Sequence, residues 1–561
     1  CVYYNEDNKG ATPVHFENYR SVLVGRENND PKAIAENNEL LFFTNYSSNN
    51  GQTKSWLHEH DNRYNCYNES LEVAGGVPVN RPNVLVKKMD QYEITTQAGI
   101  LHYNMKWLDD DKGKQKKGAF LKSIWLQTCA YLYTNKIKPT MLEWSCPGSM
   151  MEADINELDK IYNSLCKLTP IVGAKTTLAY HQNAVTEAEA VCSYALSQNF
   201  GLNSNNMFLG IDVGGSTSDI LLLAKDSDNG NKATLYRESS VRLAAGVFFN
   251  AVIKSDTFRQ ALLSFHEGHK TNVYVSNIKE ILTEPSKAPY FLNSIFDQLK
   301  TTEDYEEFYS SIDVNAKFVF TIPAYVTGML LYYSGMLIGK TIKAEHLERV
   351  SRVDVLSFGK GGRLFHWLIN SAGVRATREY YADCLNAGVR LVVGKELDVV
   401  YRDEIAEDNK AEVAKGLCDP KELEKKTFSS ESDICGESGV KYIMANGAPK
   451  ELQAEDELTG DYFANEMNNF DFSGIENFEK FMNIFLDFVS VKTHLYPQAD
   501  NALRSDLADL PNRIASYICN NDTEYRKARN SEDGSFHYHQ PLIIAEGVCF
   551  LDTLIKKVFD Q

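Results

Sequence analysis

The segment from Phe208 to Lys225 constrains this chain more than any other. An apolar run, Phe208-Leu209-Gly210-Ile211, ends at Asp212; the chain then turns through Gly214, Gly215, Ser216 and Thr217, and a second apolar run from Ile220 to Ala224 follows Asp219. The second run is short and bounded by charge, so the pattern predicts two strands joined by a tight hairpin. Its turn carries phosphate-binding chemistry. Glycines lack a Cβ and reach positive φ readily, so the backbone N–H groups of Gly214 and Gly215 can close on phosphate oxygens, while Ser216 and Thr217 add hydroxyl donors. Asp212, at the end of a buried strand, suits a hydrated Mg²⁺, which keeps several waters and takes one or two carboxylates. The alternative is an ordinary glycine hairpin, but an aspartate on each side and a hydroxyl pair between them favour the phosphate reading. A Walker loop would need G-x-x-x-x-G-K-[ST], and a dinucleotide fingerprint would open a helix; the segment offers neither.

Two further segments bracket the hairpin. Upstream, Val185 to Leu196 places Glu187 ahead of an Ala-rich, small-residue helical pattern. Downstream, Val353 to Phe358 reads as a strand, Gly359-Lys360-Gly361-Gly362 as a turn, and Arg363 to Ile369 has helical spacing. A strand, a glycine turn and a helix in succession leave free N–H groups and a positive dipole end where a nucleotide can approach.

In the pattern D-x-G-G-[SG]-T-x-D, Asp212 to Asp219 resembles the second phosphate motif of the actin, heat-shock chaperone and sugar kinase superfamily, closest in form to the seventy-kilodalton heat-shock chaperones. Residues 185–196 are similar to that family's first connecting motif, with Ala188 where a proline is usual. Residues 353–369 are similar to its adenosine motif, with Lys360 where a glycine is commoner. Weaker matches at Ser145 to Met150, Leu243 to Phe249 and Asn409 to Leu417 extend the resemblance over most of residues 140–418.

The resemblance implies an α/β, two-lobed actin-like ATPase fold of duplicated ribonuclease-H-like domains. Residues 1–200 would form the first lobe, 201–418 the second lobe with the adenosine motif and a returning helix, and 419–561 a partly helical C-terminal extension. It also implies ATP or ADP held with Mg²⁺ at the floor of the cleft. In that scheme Asp212 orders the metal's waters, and Glu187 and Thr217 orient the attacking water or the γ-phosphate. Gly214, Gly215 and Ser216 hold phosphate, and Gly359, Lys360, Gly361, Gly362 and Arg363 seat the adenosine. Lys106 stands roughly where the chaperones carry a phosphate-contacting lysine.

The family's first phosphate motif, an N-terminal D-x-G-[TS]-[TSN] hairpin, is not found, whereas Cys1 to Asp7 looks like the strand that follows it. The expectation is that residues upstream of Cys1 carry that loop, and that without them the chain binds ATP weakly and hydrolyses it poorly or not at all; the rival is a pseudo-ATPase that never had the loop. The functional expectation is a chaperone-type ATPase in which nucleotide-dependent lobe closure regulates a protein partner. An actin-like filament-forming ATPase is the second reading, and a sugar or metabolite kinase the third. The tail has nothing like the chaperones' β-sandwich substrate domain.

Composition narrows the partners. A net charge of −18 over 561 residues argues against nucleic acid or an anionic membrane surface as the main partner. Lys112 to Lys117 is the only compact basic run and reads as a solvated loop. Eleven cysteines without a C-x-x-C pair support neither zinc spacing nor a disulfide framework, which points to reduced thiols and a cytoplasmic setting. The longest apolar stretch, Ala324 to Ile338, is shorter than the roughly 20 residues a spanning helix needs, and reads as a buried helix. Asp419 to Ser438 is dense in charge and reads as an exposed linker, while Phe478 to Phe488 and Pro541 to Phe559 have helical spacing.

Overall fold

The computed structural model describes residues 2–5 and 10–14, strand pieces between 46 and 102, and most of the chain from 117 to 559; the longer gaps in that last stretch are 168–178, 269–315, 403–410, 460–468 and 526–539. Lys106 and Ser216 lie outside the described residues, as does the side chain of Lys360.

A mixed sheet organises the α/β fold. The hairpin forms as its pattern predicts: β1 (Asn206–Val213) and β2 (Ser218–Asp226) pair antiparallel, with Asp212 opposite Asp219 and Val213 opposite Ser218. The meander continues into β3 (Lys232–Val241). On the far side of β1, β4 (Arg352–Phe358) runs parallel with Phe358 aligned to Asp212, and β5 (Asp398–Tyr401) runs parallel to β4. A short strand, β6 (Glu424–Lys425), joins parallel to β3, so the order is β5-β4-β1-β2-β3-β6.

The period-two pleat sorts these strands into two apolar faces. Phe208, Leu221, Leu223, Leu235, Leu356 and Phe358 line one face, which α1 (Glu187–Ser197) covers with Ala188, Val191, Cys192 and Ala195. Asp212 follows Phe208 and Gly210 in the pleat and therefore belongs to this face. The other face, with Leu209, Ile211, Val213, Ile220, Leu222, Val353 and Val355, opens a larger core. Into that core pack α2 (Gly246–Val252), α3 (Thr321–Ala344), α4 (Arg363–Ala372) and α5 (Val374–Val393). Beyond them, α6 (Glu412–Cys418) returns toward α1, and α7 (Glu476–Leu486) and α8 (Leu542–Phe559) pack against α3.

The centre of the core is α3. By length and composition it could cross a membrane, yet its apolar window is wholly buried in protein. Tyr325, Tyr332 and Tyr333 are among its fully buried side chains, and each hydroxyl finds an acceptor, as a buried phenol requires. Tyr325 donates to the Gly547 carbonyl at 2.8 Å, Tyr332 to the Asn477 carbonyl at 3.0 Å, and Tyr333 to Asp433 Oδ1 at 2.5 Å. Burying one such ring stabilises by about 1.5–3 kcal/mol, so these contacts tie the C-terminal segment to the sheet domain in one continuous core.

Within two segments expected from charge to be exposed, the residues that the structure describes include buried ones. Within the expected linker, Asp433 to Glu437 are buried, because Asp433 accepts from Tyr333 and from Ser239 Oγ at 2.7 Å, which satisfies its charge inside the protein. Lys117, expected in a solvated loop, is 2 % exposed, with Nζ 3.7 Å from Glu157.

Before the sheet, Met141–Leu142 pairs parallel with Ala179–Tyr180, and Ser145–Cys146 with Val185–Thr186. A helix, Glu152–Lys167, packs beside them through Trp144 stacked on Tyr162, ring centroids 4.9 Å apart. Tyr3–Asn5 and Ala11–Pro13 form an antiparallel pair.

Candidate functional site

The hairpin turn is closed by the Gly214 N–H, which donates to the Thr217 carbonyl at 2.9 Å. Neither Gly214 nor Gly215 takes a positive φ, contrary to the sequence expectation. What demands glycine at 214 is space: a Cβ there would stand 2.8 Å from the Thr217 oxygen. Gly215 is exposed, Thr217 half-buried, and Ser218 Oγ fixes the next element by donating to the Leu243 carbonyl at 2.5 Å.

Two other segments close on this turn. Ala245 N–H donates to Gly214 O at 3.1 Å and Gly246 N–H to Gly215 O at 3.0 Å, so the start of α2 is bonded to the hairpin's own backbone. A Cβ at Gly246 would lie 2.3 Å from Gly215 O. From the other side comes the turn after β4. Gly359 has φ +69°, the left-handed region that glycine alone enters without strain. Its hypothetical Cβ would stand 2.2 Å from Asp212 Oδ1 and 2.8 Å from Val213 O, and one at Gly361 would stand 2.5 Å from Val213 O. The segments at 212–217, 243–249 and 359–363 thus meet around the hairpin turn, with Gly359 against Asp212 and Ala245 and Gly246 bonded to Gly214 and Gly215.

The glycine turn is held from below. Ser357 Oγ and Tyr401 Oη are 2.8 Å apart, the Tyr401 ring stacks on Phe365 at 5.6 Å, and Tyr381 donates its hydroxyl to the Phe365 carbonyl at 2.9 Å. These contacts seat the first turn of α4, where Arg363 is buried. Sequence reasoning singled out neither Ser357 nor Tyr401, since the bond joins different strands.

Glu187 opens α1, half-buried, on a different element from Asp212 but on the helix that covers Asp212's face of the sheet. Burial first, and then the nearby Glu187 charge, pushes the Tyr162 phenol up. The second acid of the segment caps the helix: Thr186 N–H donates to Glu189 Oε2 at 2.8 Å, and Glu189 N–H to Thr186 Oγ1 at 3.1 Å. This is a capping box, legible as T-x-x-E in the sequence.

Behind α1 lies α6, formed from the Ala/Gly pattern before Cys418. A Cβ at Gly416 would stand 1.8 Å from the Ala190 carbonyl oxygen, so the two helices cross with backbones in contact. Lys415 Nζ lies 5.8 Å from the ring centres of both Tyr3 and Tyr194, and Asn5 Nδ2 donates to Cys418 O at 2.8 Å. The N-terminal strand pair is thereby fastened to this crossing.

At the opposite end of β4 from the glycine turn, a charge cluster has a structural role. Buried Asp354 accepts from Arg352 at 2.7 Å, Arg402 Nε at 3.1 Å and Asn206 at 2.9 Å. Burial alone would raise its pKa, but the Arg352 and Asn206 hydrogen bonds and the Arg402 charge outweigh it and hold the carboxyl below the usual range.

The hairpin, the α2 start and the glycine turn pack directly on one another, with the Asp212 carboxylate beside Gly359 and Asp219 opposite it in the hairpin. Exposed Gly215 and the start of α4 supply main-chain polar groups of the kind that bind anions. No family model matches this chain, and no curated protein matches it.

Proposed function

We propose that the chain binds ATP or ADP with Mg²⁺ between two lobes of an actin-like, heat-shock-chaperone-type ATPase, and that lobe closure signals nucleotide state to a protein partner. The observation that supports this reading is the contact of the hairpin and the glycine turn at Asp212, two motifs far apart in sequence brought side by side. The mixed sheet with its central hairpin suits one ribonuclease-H-like lobe, and the α1–α6 crossing suits the connection to the other.

The residues fit the ligand. Glycine at 359 and 361 keeps side chains away from Asp212 and Val213, where a Cβ would collide. Exposed Gly215, with open space around it, offers the turn's main chain to phosphate oxygens while the Gly214 N–H closes the turn on Thr217 O, and Arg363 and its glycines border the adenosine position. Mg²⁺ supplies charge neutralisation across the phosphates when bound, and Asp212 would hold it through water. Thr217 and Glu187 would orient the γ-phosphate and the attacking water; such transfers rely on positioning more than on covalent chemistry by the protein.

Calorimetric titration of Mg·ATP and Mg·ADP into the wild-type protein and Asp212→Ala tests the reading. Binding that weakens at least about tenfold in the variant, roughly 1.4 kcal/mol, is expected. No binding by the wild type, or equal binding by both, overturns it.

A further inference from the structure

Glu437 and Glu546 are both 0 % exposed, in the core where α3, α7 and α8 meet. The Glu437 carboxylate accepts from the N–H groups of Ser438 at 2.7 Å, Asn477 at 2.7 Å and Phe478 at 2.9 Å. Asn477 and Phe478 open α7, so this carboxylate satisfies the helix's unpaired amides and meets its positive end. The Glu437 segment packs on α8, where Ile543 N–H donates to Cys435 O at 3.4 Å and a Cβ at Gly436 would meet Ile543, and Glu546 approaches Glu437 from that helix; among the described residues neither Glu546 oxygen has an N–H or O–H donor.

Among the described residues, no Lys, Arg or His is among the groups acting on the pair. The titratable groups facing it are Tyr325 and Tyr332 on α3, Cys435 on the Glu437 segment and Cys549 on α8. Both tyrosine hydroxyls donate elsewhere, to Gly547 O and Asn477 O. Two ionised carboxylates side by side in such a core repel, and Glu546, without donors, would lack compensation. One proton on Glu546 removes the conflict, because its O–H then donates to the Glu437 carboxylate, which already has three amide donors.

We infer that Glu437 and Glu546 share one proton, and that this proton is a latch fastening α8 to α7 and α3, released as pH rises. Burial first and the Glu437 charge second hold Glu546 well above the usual carboxylate range, and burial raises Glu437 as well. The folded protein therefore keeps a proton that the unfolded chain has lost. The latch is at full strength below the unfolded carboxylate value and weakens as pH climbs through the folded one. Because α8 also packs on α2, whose first residue binds Gly215 O, the latch stands one helix away from the phosphate hairpin.

Denaturant midpoints between about pH 5 and pH 9 for wild type and Glu546→Gln test the latch. In the variant the carboxamide donates to Glu437 with no proton to lose, so the decline of the midpoint with rising pH should flatten. An unchanged slope overturns the inference. A second reading needs no variant: infrared spectra of the wild type at neutral pH should contain the C=O stretch of a protonated carboxylic acid that disappears at high pH, and its absence also overturns the inference.

Discussion

Gly359 lies against the carboxylate of Asp212 so closely that a methyl group in place of its hydrogen would stand 2.2 Å from Oδ1. The contact joins the turn after β4 to the hairpin after β1 and fixes where that carboxylate can point.

Gly359→Ala should therefore lose twice. Its backbone is at φ +69°, so alanine destabilises by about 1 kcal/mol or more, and the added carbon displaces Asp212. Urea unfolding should record the first effect, and Mg·ATP titration a further loss of at least about tenfold. A variant with lower stability but wild-type affinity would separate Asp212 from ligand binding.

At the α1–α6 crossing, Gly416→Val would place carbons inside the Ala190 carbonyl. Overpacking of this kind costs about 1–3 kcal/mol, and the helices must part to admit it. Thermal unfolding should drop accordingly, and hydrogen exchange should quicken in both 187–197 and 412–418.

Glu187 and Glu189 should respond differently despite being neighbours. Glu189→Ala and Thr186→Ala each break the capping box and should cost about 1 kcal/mol, with the double variant losing less than the sum. On the proposed reading, Glu187→Gln should leave the denaturation midpoint nearly unchanged while lowering whatever ATP turnover the wild type shows.

Asp354 sets a dependence on acid. Its folded-state pKa is depressed, so the stability it contributes is present above the unfolded value, about 3.9, and disappears as pH falls through the folded value. Asp354→Asn should cost about 1–3 kcal/mol at neutral pH and make the acid limb of the stability profile shallower. Equal acid limbs in wild type and variant would show that the cluster contributes nothing there.

Much of the hairpin and the glycine turn was legible because periodicity and glycine are written in single side chains. Strands β1, β2 and β4 and helices α4, α7 and α8 all follow the apolar spacing that predicts them. The closure of Ala245 and Gly246 onto Gly214 and Gly215 was not legible as a contact, since backbone-to-backbone bonds leave no residue-type signature. Thr186 and Glu189 did carry a readable signal. Asp433 and Glu437 misled because a carboxylate reads as exposed until its buried donors are known, whereas Glu546 stands out as a lone acid within the apolar run from Leu542 to Phe550.

The burial of α3 has a consequence for synthesis. The helices that cover it, α5, α7 and α8, all follow it in the chain, and the last ends some two hundred residues after Ala344. At ordinary ribosomal speeds, a nascent chain carries this apolar helix without its final cover for roughly 10–40 s. Holdase capture during translation, and aggregation of chains truncated before Leu542, are the hazards that this order of elements creates.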